Sequence, residues 1–261
     1  MTRRSLPDLS GLLHLARAGL ALLLIAPASV RAQAVQVGLV GDPCTKPAEP
    51  AAPLPADWPN LCRYRAANLS VNKQTTAGHR VVFIGDSTTE NWAVADPAFF
   101  GREFINRGIS GQTTPQILLR FRADVIALRP EVVHIMAGTN DVAGNTGPST
   151  LEDVENNFKS MVDLALANGI KVVLASIPPA DVFPWRPGLQ PAPKIQALNA
   201  WLREYAASRG LVYLDYYRVL TTDEGALKPG LGQDGVHPNR AGYDLMEPLA
   251  RAAIARARKG R

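Results

Sequence analysis

Residues 80–91 read Arg80-Val81-Val82-Phe83-Ile84-Gly85-Asp86-Ser87-Thr88-Thr89-Glu90-Asn91. Four successive apolar residues, three of them β-branched, predict a strand covered on both faces. Gly85-Asp86 then breaks the run into a sharp strand-to-helix turn that presents Ser87 at a sheet edge among backbone N–H groups. The same alternation continues downstream, with strands expected at 81–84, 104–105, 132–136, 172–176 and 212–214. Amphipathic helices are expected between them. Ser149 and Glu152 form a capping-box pattern ahead of Val154, Phe158, Met161, Val162 and Ala165, with Gly169 at the stop. Pro193 precedes Ile195, Leu198, Leu202 and Tyr205, and Gly210 follows. Strand and helix in alternation predict one α/β domain with a mainly parallel sheet, whose ligands bind beyond the carboxyl ends of the strands.

The residues after those strands are therefore the ones to read for chemistry. Ser87 follows the first, Asn106-Arg107-Gly108-Ile109-Ser110-Gly111 the second, and Gly138-Thr139-Asn140-Asp141 the third, while Asp234-Gly235-Val236-His237-Pro238-Asn239 leads into the last helix. A serine hydroxyl attacks only when a base takes its proton, and the base needs a partner that fixes its tautomer. Asp234 and His237, three residues apart in one tight loop, supply that pair. Acyl transfer also needs donors aimed at the oxyanion, which the backbone N–H groups of Ser87 and Gly111 and the amide of Asn140 provide. Taken singly, Asn140 is equally a turn-forming residue, and Gly-Asp-Ser is ordinary turn chemistry. No third ligand accompanies Asp234 and His237, so no metal is expected. His134 falls inside a strand and reads as a core histidine, and Asp86 as the residue that holds the Ser87 turn.

The ordered set Gly85-Asp86-Ser87, Gly111, Gly138-Thr139-Asn140-Asp141 and Asp234-Gly235-Val236-His237-Pro238 resembles the SGNH hydrolases, or GDSL esterases and lipases. It is most similar to the branch of the platelet-activating factor acetylhydrolase catalytic subunits, and it spans roughly residues 79–258. Thr88 departs from the leucine usual after the serine. The resemblance implies a three-layer α/β/α sandwich, flavodoxin-like, with five parallel strands. It implies Ser87 as nucleophile, His237 as base, Asp234 as its orienter, Gly111 and Asn140 as oxyanion donors beside Ser87, and no cofactor. The expected activity is that of a serine esterase acting on acyl esters, short-chain or acetyl, of small molecules or glycans. An O-acetyltransferase working on glycans with the same triad, and a binding module that keeps the fold without catalysis, are the alternative readings.

Between the fourth and fifth strands, Pro178-Pro179-Ala180-Asp181-Val182-Phe183-Pro184-Trp185-Arg186-Pro187 continues to Pro191 and Pro193. Prolines limit the freedom of this segment, which is expected to hold Phe183 and Trp185 as a wall beside the site. The alternative is that both aromatics only pack the loop onto the body.

Outward from this domain, the chain has 261 residues, 46% of them hydrophobic and 20% charged, a composition that excludes disordered and fibrous classes. The 28 Lys and Arg exceed the 23 Asp and Glu, but the excess lies at the two ends. Residues 33–250 hold 19 basic and 22 acidic side chains, so a nucleic-acid partner is not expected. Residues 1–32 carry Arg3 and Arg4, then an uncharged run from Ala18 to Val30, then Val30-Arg31-Ala32. This reads as a secretory signal peptide cut after Ala32 or Ala34, its run shorter than a spanning helix needs, with a retained anchor as the alternative, and it predicts a periplasmic or secreted protein. Thr2-Arg3-Arg4-Ser5-Leu6 also looks like a twin-arginine signal. Residues 33–78 form a Pro-rich extension and residues 79–261 the hydrolase domain. Cys44 and Cys62 are the only cysteines, and in an oxidising compartment they are expected to pair.

Overall fold

The computed structural model describes Cys44, residues 57–72 and residues 79–260. The expected leader, and most of the Pro-rich extension, lie outside the described residues. Within them stand five strands: β1 (Val81–Gly85), β2 (Phe104–Gly108), β3 (Val132–Met136), β4 (Lys171–Ala175) and β5 (Val212–Leu214). Every pairing is parallel and the order is β2-β1-β3-β4-β5. This is the five-stranded, parallel, flavodoxin-like sheet that the family resemblance implies. The chain reverses direction across the sheet between β1 and β3, and the ends of those two strands bound the crevice in which such folds bind ligands.

Alternation along the strands divides the core into two layers. Val82, Ile84, Val133, Ile135 and Leu174 face one side, where α3 (Thr114–Asp124), α5 (Leu151–Ala167) and α6 (Ala192–Ser208) bring Ile117, Phe121, Phe158, Met161, Ile195 and Leu202. This layer is largely aliphatic. Val81, Phe83 and Val173 face α2 (Ser87–Ala95) and α8 (Arg240–Arg258) across an aromatic layer that includes Trp92, Phe99, Phe104, Tyr216 and Tyr243. Trp92 stacks on Phe99 and Tyr243 with ring centroids 4.9 and 5.2 Å apart. His134 belongs to this layer as expected, fully buried, stacked on Phe83 and hydrogen-bonded through Nε2 to the Tyr216 hydroxyl at 3.0 Å. Burial pushes its imidazole down to about 3, so the ring is neutral at ordinary pH.

Two local readings are corrected. The capping box of α5 lies one residue later than expected, with Thr150 as N-cap and Asp153 as its reciprocal partner. Ser149 and Glu152 offer the same residue types one position earlier, and sequence spacing alone does not choose between the two pairs. Asn106-Arg107-Gly108 belongs to β2 rather than to the loop after it. Arg107 reads as a loop residue, but its guanidinium is buried against Asn68, the Asn106 carbonyl and the Tyr64 ring. Asn68 and Tyr64 come from the segment ahead of the domain, which ends in α1 (Arg65–Asn72). Cys44 and Cys62 are disulfide-bonded, with Cα atoms 5.5 Å apart. No helix among the described residues is long and apolar enough to cross a membrane.

Candidate active site

The site is built at the carboxyl ends of β1 and β3. At the end of β1 the backbone runs so close to β3 and to the first turn of α2 that a Cβ on Gly85 would overlap the Met136 carbonyl oxygen and the Thr89 hydroxyl, so only glycine fits. Asp86 then caps α2, its Oδ1 accepting from Thr88 N at 3.0 Å. Ser87, the first helical residue, is nearly buried and faces the loop before α8. Its Oγ lies 2.8 Å from His237 Nε2, and His237 Nδ1 lies 2.6 Å from Asp234 Oδ2. A carboxylate against Nδ1 places the ring proton there and leaves Nε2 as the acceptor for the serine hydroxyl. Asp234 is itself held by the turn it stands in, its Oδ1 accepting from Val236 N at 3.0 Å and His237 N at 2.8 Å. Burial alone would raise this carboxyl, but the hydrogen bonds from His237 and Val236 outweigh it and hold Asp234 below its ordinary value.

On the far side of Ser87 stand hydrogen-bond donors. Gly138 takes φ +115° at the end of β3 and turns the chain into α4 (Thr139–Ala143), which puts Asn140 over the crevice. The Asn140 Oδ1 accepts from Asn145 Nδ2 at 2.7 Å, and its Nδ2 donates to the Gln112 carbonyl at 3.0 Å. These contacts fix which end of the amide carries the protons and leave one N–H unspent. The Gln112 contact sets that amide beside the loop carrying Gly111, whose φ is +78° and whose N–H makes no hydrogen bond among the described residues. As the first helical residue, Ser87 also has an N–H without an intrahelical partner. Hydroxyl, base, carboxylate and free donors thus meet from loops after three strands and before the last helix. Such a set can accept a serine proton and hold a developing oxyanion.

The buried Asp86 carboxyl is pushed up to about 6 by desolvation, and its Oδ2 has no hydrogen bond among the described residues. Its structural reading holds: it caps the turn under Ser87. Asp141, also buried and raised by desolvation, accepts from Thr114 N and Oγ1 and so anchors the start of α3. Among the described residues no group of three His, Cys, Asp or Glu could hold a metal ion.

Phe183 and Trp185 stack on one another but differ in exposure. Phe183 is 2% exposed and part of the core, whereas Trp185 is 40% exposed, stacked on Phe183 at 5.0 Å and facing the His237 ring at 6.3 Å. Trp185 also donates from Nε1 to Asn145 Oδ1 at 3.2 Å. The indole thereby orients Asn145, and Asn145 orients Asn140. Sequence reasoning did not single out Asn145, nor Glu90 and Gln112, which hold the loop of Gly111; none of these stands in a pattern that marks it locally.

Residues 83–245 match the model of the GDSL-like lipase/acylhydrolase family. The chain belongs to this family. It is a family of carboxylic ester hydrolases, and this member keeps the whole arrangement from Ser87 to His237 within the matched stretch. A Bacteroides fragilis protein described as an acylhydrolase has a crystal structure 46% identical in sequence, with a TM-score of 0.74, covering 76% of this chain and 97% of that one. A GDSL-like lipase from Bacteroides thetaiotaomicron is 45% identical with the same TM-score, covering 76% and 98%. Among curated proteins, an uncharacterized lipoprotein of Bacillus subtilis is 32% identical over 117 residues, 38% of this chain. That match spans about half of the lipoprotein's length, 48%.

Proposed function

We propose that this GDSL-family protein is an exported serine esterase that hydrolyses acyl esters through a covalent acyl-enzyme. The observation that carries the reading is the unbroken run Ser87 Oγ, His237 Nε2, His237 Nδ1, Asp234 Oδ2, with a contact of 2.8 Å between residues 150 apart in sequence and one of 2.6 Å between residues three apart. In the first half-reaction Ser87 Oγ bonds to the ester carbonyl carbon while His237 takes its proton. The tetrahedral oxyanion is held by the N–H groups of Ser87 and Gly111 and by Asn140 Nδ2. Collapse breaks the ester C–O bond, and the alcohol leaves with the proton from His237. Water then repeats the sequence, with His237 as its base, to release the acid and free Ser87.

The opening beside the triad is open and mixed in character, with Asn91, Gln233 and Arg240 next to Val94 and Ala95. That lining favours short acyl groups on polar alcohols, whether small molecules or glycans, over long chains. The Cys44–Cys62 bridge and the likeness to a lipoprotein support placement outside the cytoplasm. The test is a fluorophosphonate probe with p-nitrophenyl acetate turnover. Ser87 is expected to be the labelled residue, and Ser87→Ala to lose both labelling and turnover while keeping its melting temperature. Labelling at another serine, or wild-type turnover by Ser87→Ala, would overturn the reading.

A further inference from the structure

The turn carrying Gly111 has neither helix nor strand of its own, yet it is fastened from two directions. From α2, one oxygen of the Glu90 carboxylate accepts from Ser110 N at 2.7 Å and from Ser110 Oγ at 2.6 Å, while the other accepts from Arg63 Nη2 at 2.9 Å. From the segment ahead of the domain, the Pro59 carbonyl accepts from Gln112 Nε2 at 2.9 Å and the Trp58 carbonyl from Gln116 Nε2 at 2.8 Å. The Tyr64 hydroxyl donates to the Gly108 carbonyl just before the turn. That segment has a fixed shape: the Asp57 carboxylate accepts from Leu61 N and Cys62 N, and Cys62 is bridged to Cys44. Gln112 joins the two systems, since its Oε1 accepts from the buried Arg120 at 2.6 Å and its carbonyl receives Asn140 Nδ2.

Glu90 stands three residues after Ser87 in the same helix. We propose that Glu90 is a positioning residue for the oxyanion hole, locking Ser110 and Gly111 to the helix that bears the nucleophile, and that Arg63 and residues 57–64 brace this lock from outside the stretch matched to the family. The inference rests on the reading of Ser87, Gly111 and Asn140 given above. Its physical basis is that an oxyanion donor works by being in place before charge develops, and a turn with a positive-φ glycine has many other conformations open to it. Two charge-assisted bonds to Ser110, next to Gly111 in this turn, remove most of that freedom. The carboxylate stays charged to do so: burial by itself would raise it, but hydrogen bonds from Ser110 and Arg63 bring it below its ordinary value. Arg63 is half exposed, so its share is the smaller one.

The test uses the disulfide-bonded protein, with active sites counted by fluorophosphonate titration, so that rates refer to folded enzyme. For Glu90→Ala, kcat on p-nitrophenyl acetate should fall about tenfold, as misplacement of a reacting group by a fraction of an ångström does. KM should stay within about twofold. Affinity for an aryl boronic acid, whose adduct with Ser87 mimics the oxyanion, should fall by the same factor as kcat. Glu90→Gln keeps one acceptor oxygen without the charge and should lie between, and Arg63→Met should lower kcat about twofold. A purely structural Glu90 would lower the melting temperature and leave kcat per titrated site and boronate affinity at wild-type values in both Glu90 variants, and that result would overturn the proposal. Ser87→Ala separates the two levels. If it is inactive while the Glu90 variants are normal, only this inference fails; if it retains turnover, the esterase reading itself fails.

Discussion

The two halves of the candidate site are built in opposite ways. Ser87 and Asn140 are 8% and 3% exposed and are backed by buried polar groups, among them Arg120, whose guanidinium donates to the Gly85 and Arg107 carbonyls at the ends of β1 and β2. His237 and Asp234 have side chains 25% and 41% exposed and stand in a loop whose polar contacts are mostly with its own backbone, closed by a single bridge between Gly232 and Pro238. The difference fits the role proposed for each half. Oxyanion donors stabilise charge only if they need not move when it appears. A base must reach first the serine and then the incoming water, and the carboxylate behind it serves mainly to hold tautomer and orientation. One half is therefore fixed by long-range contacts and the other by a short local motif.

The sharpest way to break this comparison is at the base. His237→Ala is expected to lower kcat by about 10⁴-fold or more, because the serine then has no proton acceptor. Its melting temperature should stay close to wild type, since the ring lies on a partly exposed loop and water can take its place on the Ser87 hydroxyl. Steady-state kinetics and a thermal melt on one preparation check both halves. A large loss of stability would show that the loop is structural after all.

Asn140→Ala should do the reverse in kind and less in size. One oxyanion donor is lost, and kcat should fall by about 10²- to 10³-fold with little change in KM. Because Asn145 Nδ2 and the Gln112 carbonyl each lose a partner, a stability cost of about 1–3 kcal/mol should accompany it. A normal kcat at reduced stability would return Asn140 to the role of a turn residue.

This contrast also explains what could be seen in the sequence. The alternation of strands and helices, the serine turn and the Asp234-Val236-His237 loop are local patterns, set by neighbours within a few residues, whereas the flavodoxin-like sheet was implied by the family resemblance alone. Asn140 was legible because it directly follows a buried strand. Its supports were not: Glu90 acts on Ser110, Asn145 on Asn140, and Arg107 on Asn68, each through a fold-dependent contact that no spacing announces. For the same reason Arg107 read as a loop residue, and residues 33–78 as a Pro-rich extension with no contact to the site. Residues 57–64 in fact pack by hydrogen bonds onto the turn of Gly111. Phe183 and Trp185 share one loop and one residue class, and only burial tells them apart.

The fixed half should also carry a pH signature opposite in sign to that of the loop half, where Asp234 is held below its ordinary value and its contribution is lost as pH falls. Asp86 has its carboxyl raised from 3.8 to about 6 by burial. A raised pKa means that the folded state prefers the protonated form. Its contribution is therefore fully present below pH 4 and is lost as pH rises through about 6, a change on the order of 3 kcal/mol at most. Asp86→Asn keeps an oxygen for Thr88 N and removes the titration. Relative to wild type, the variant should be more stable at pH 7.5 than it is at pH 4. A difference in melting temperature that does not vary with pH would show that Asp86 is already charged when folded.

Trp185 touches both halves, facing His237 at 6.3 Å and reaching Asn140 through Asn145, and the smallest expected effects concern it. Two variants separate its roles. Trp185→Phe keeps an aromatic face on Phe183 and beside His237 but removes the indole N–H. Asn145 Oδ1 then loses its donor, and because that oxygen is partly exposed, water can replace it at little cost. A fall in kcat of about twofold, equal for all esters, is the expected outcome. Trp185→Ala also removes the apolar face. If that face borders bound substrate, kcat/KM should fall further, by about five- to tenfold, for esters with bulky acyl or alcohol groups, and hardly further for acetates of small phenols, because the lost contact scales with buried apolar area. Equal losses for every ester in both variants would leave Trp185 only its link to Asn145, and substrate selection would then have to come from the Asn91 and Arg240 side of the opening.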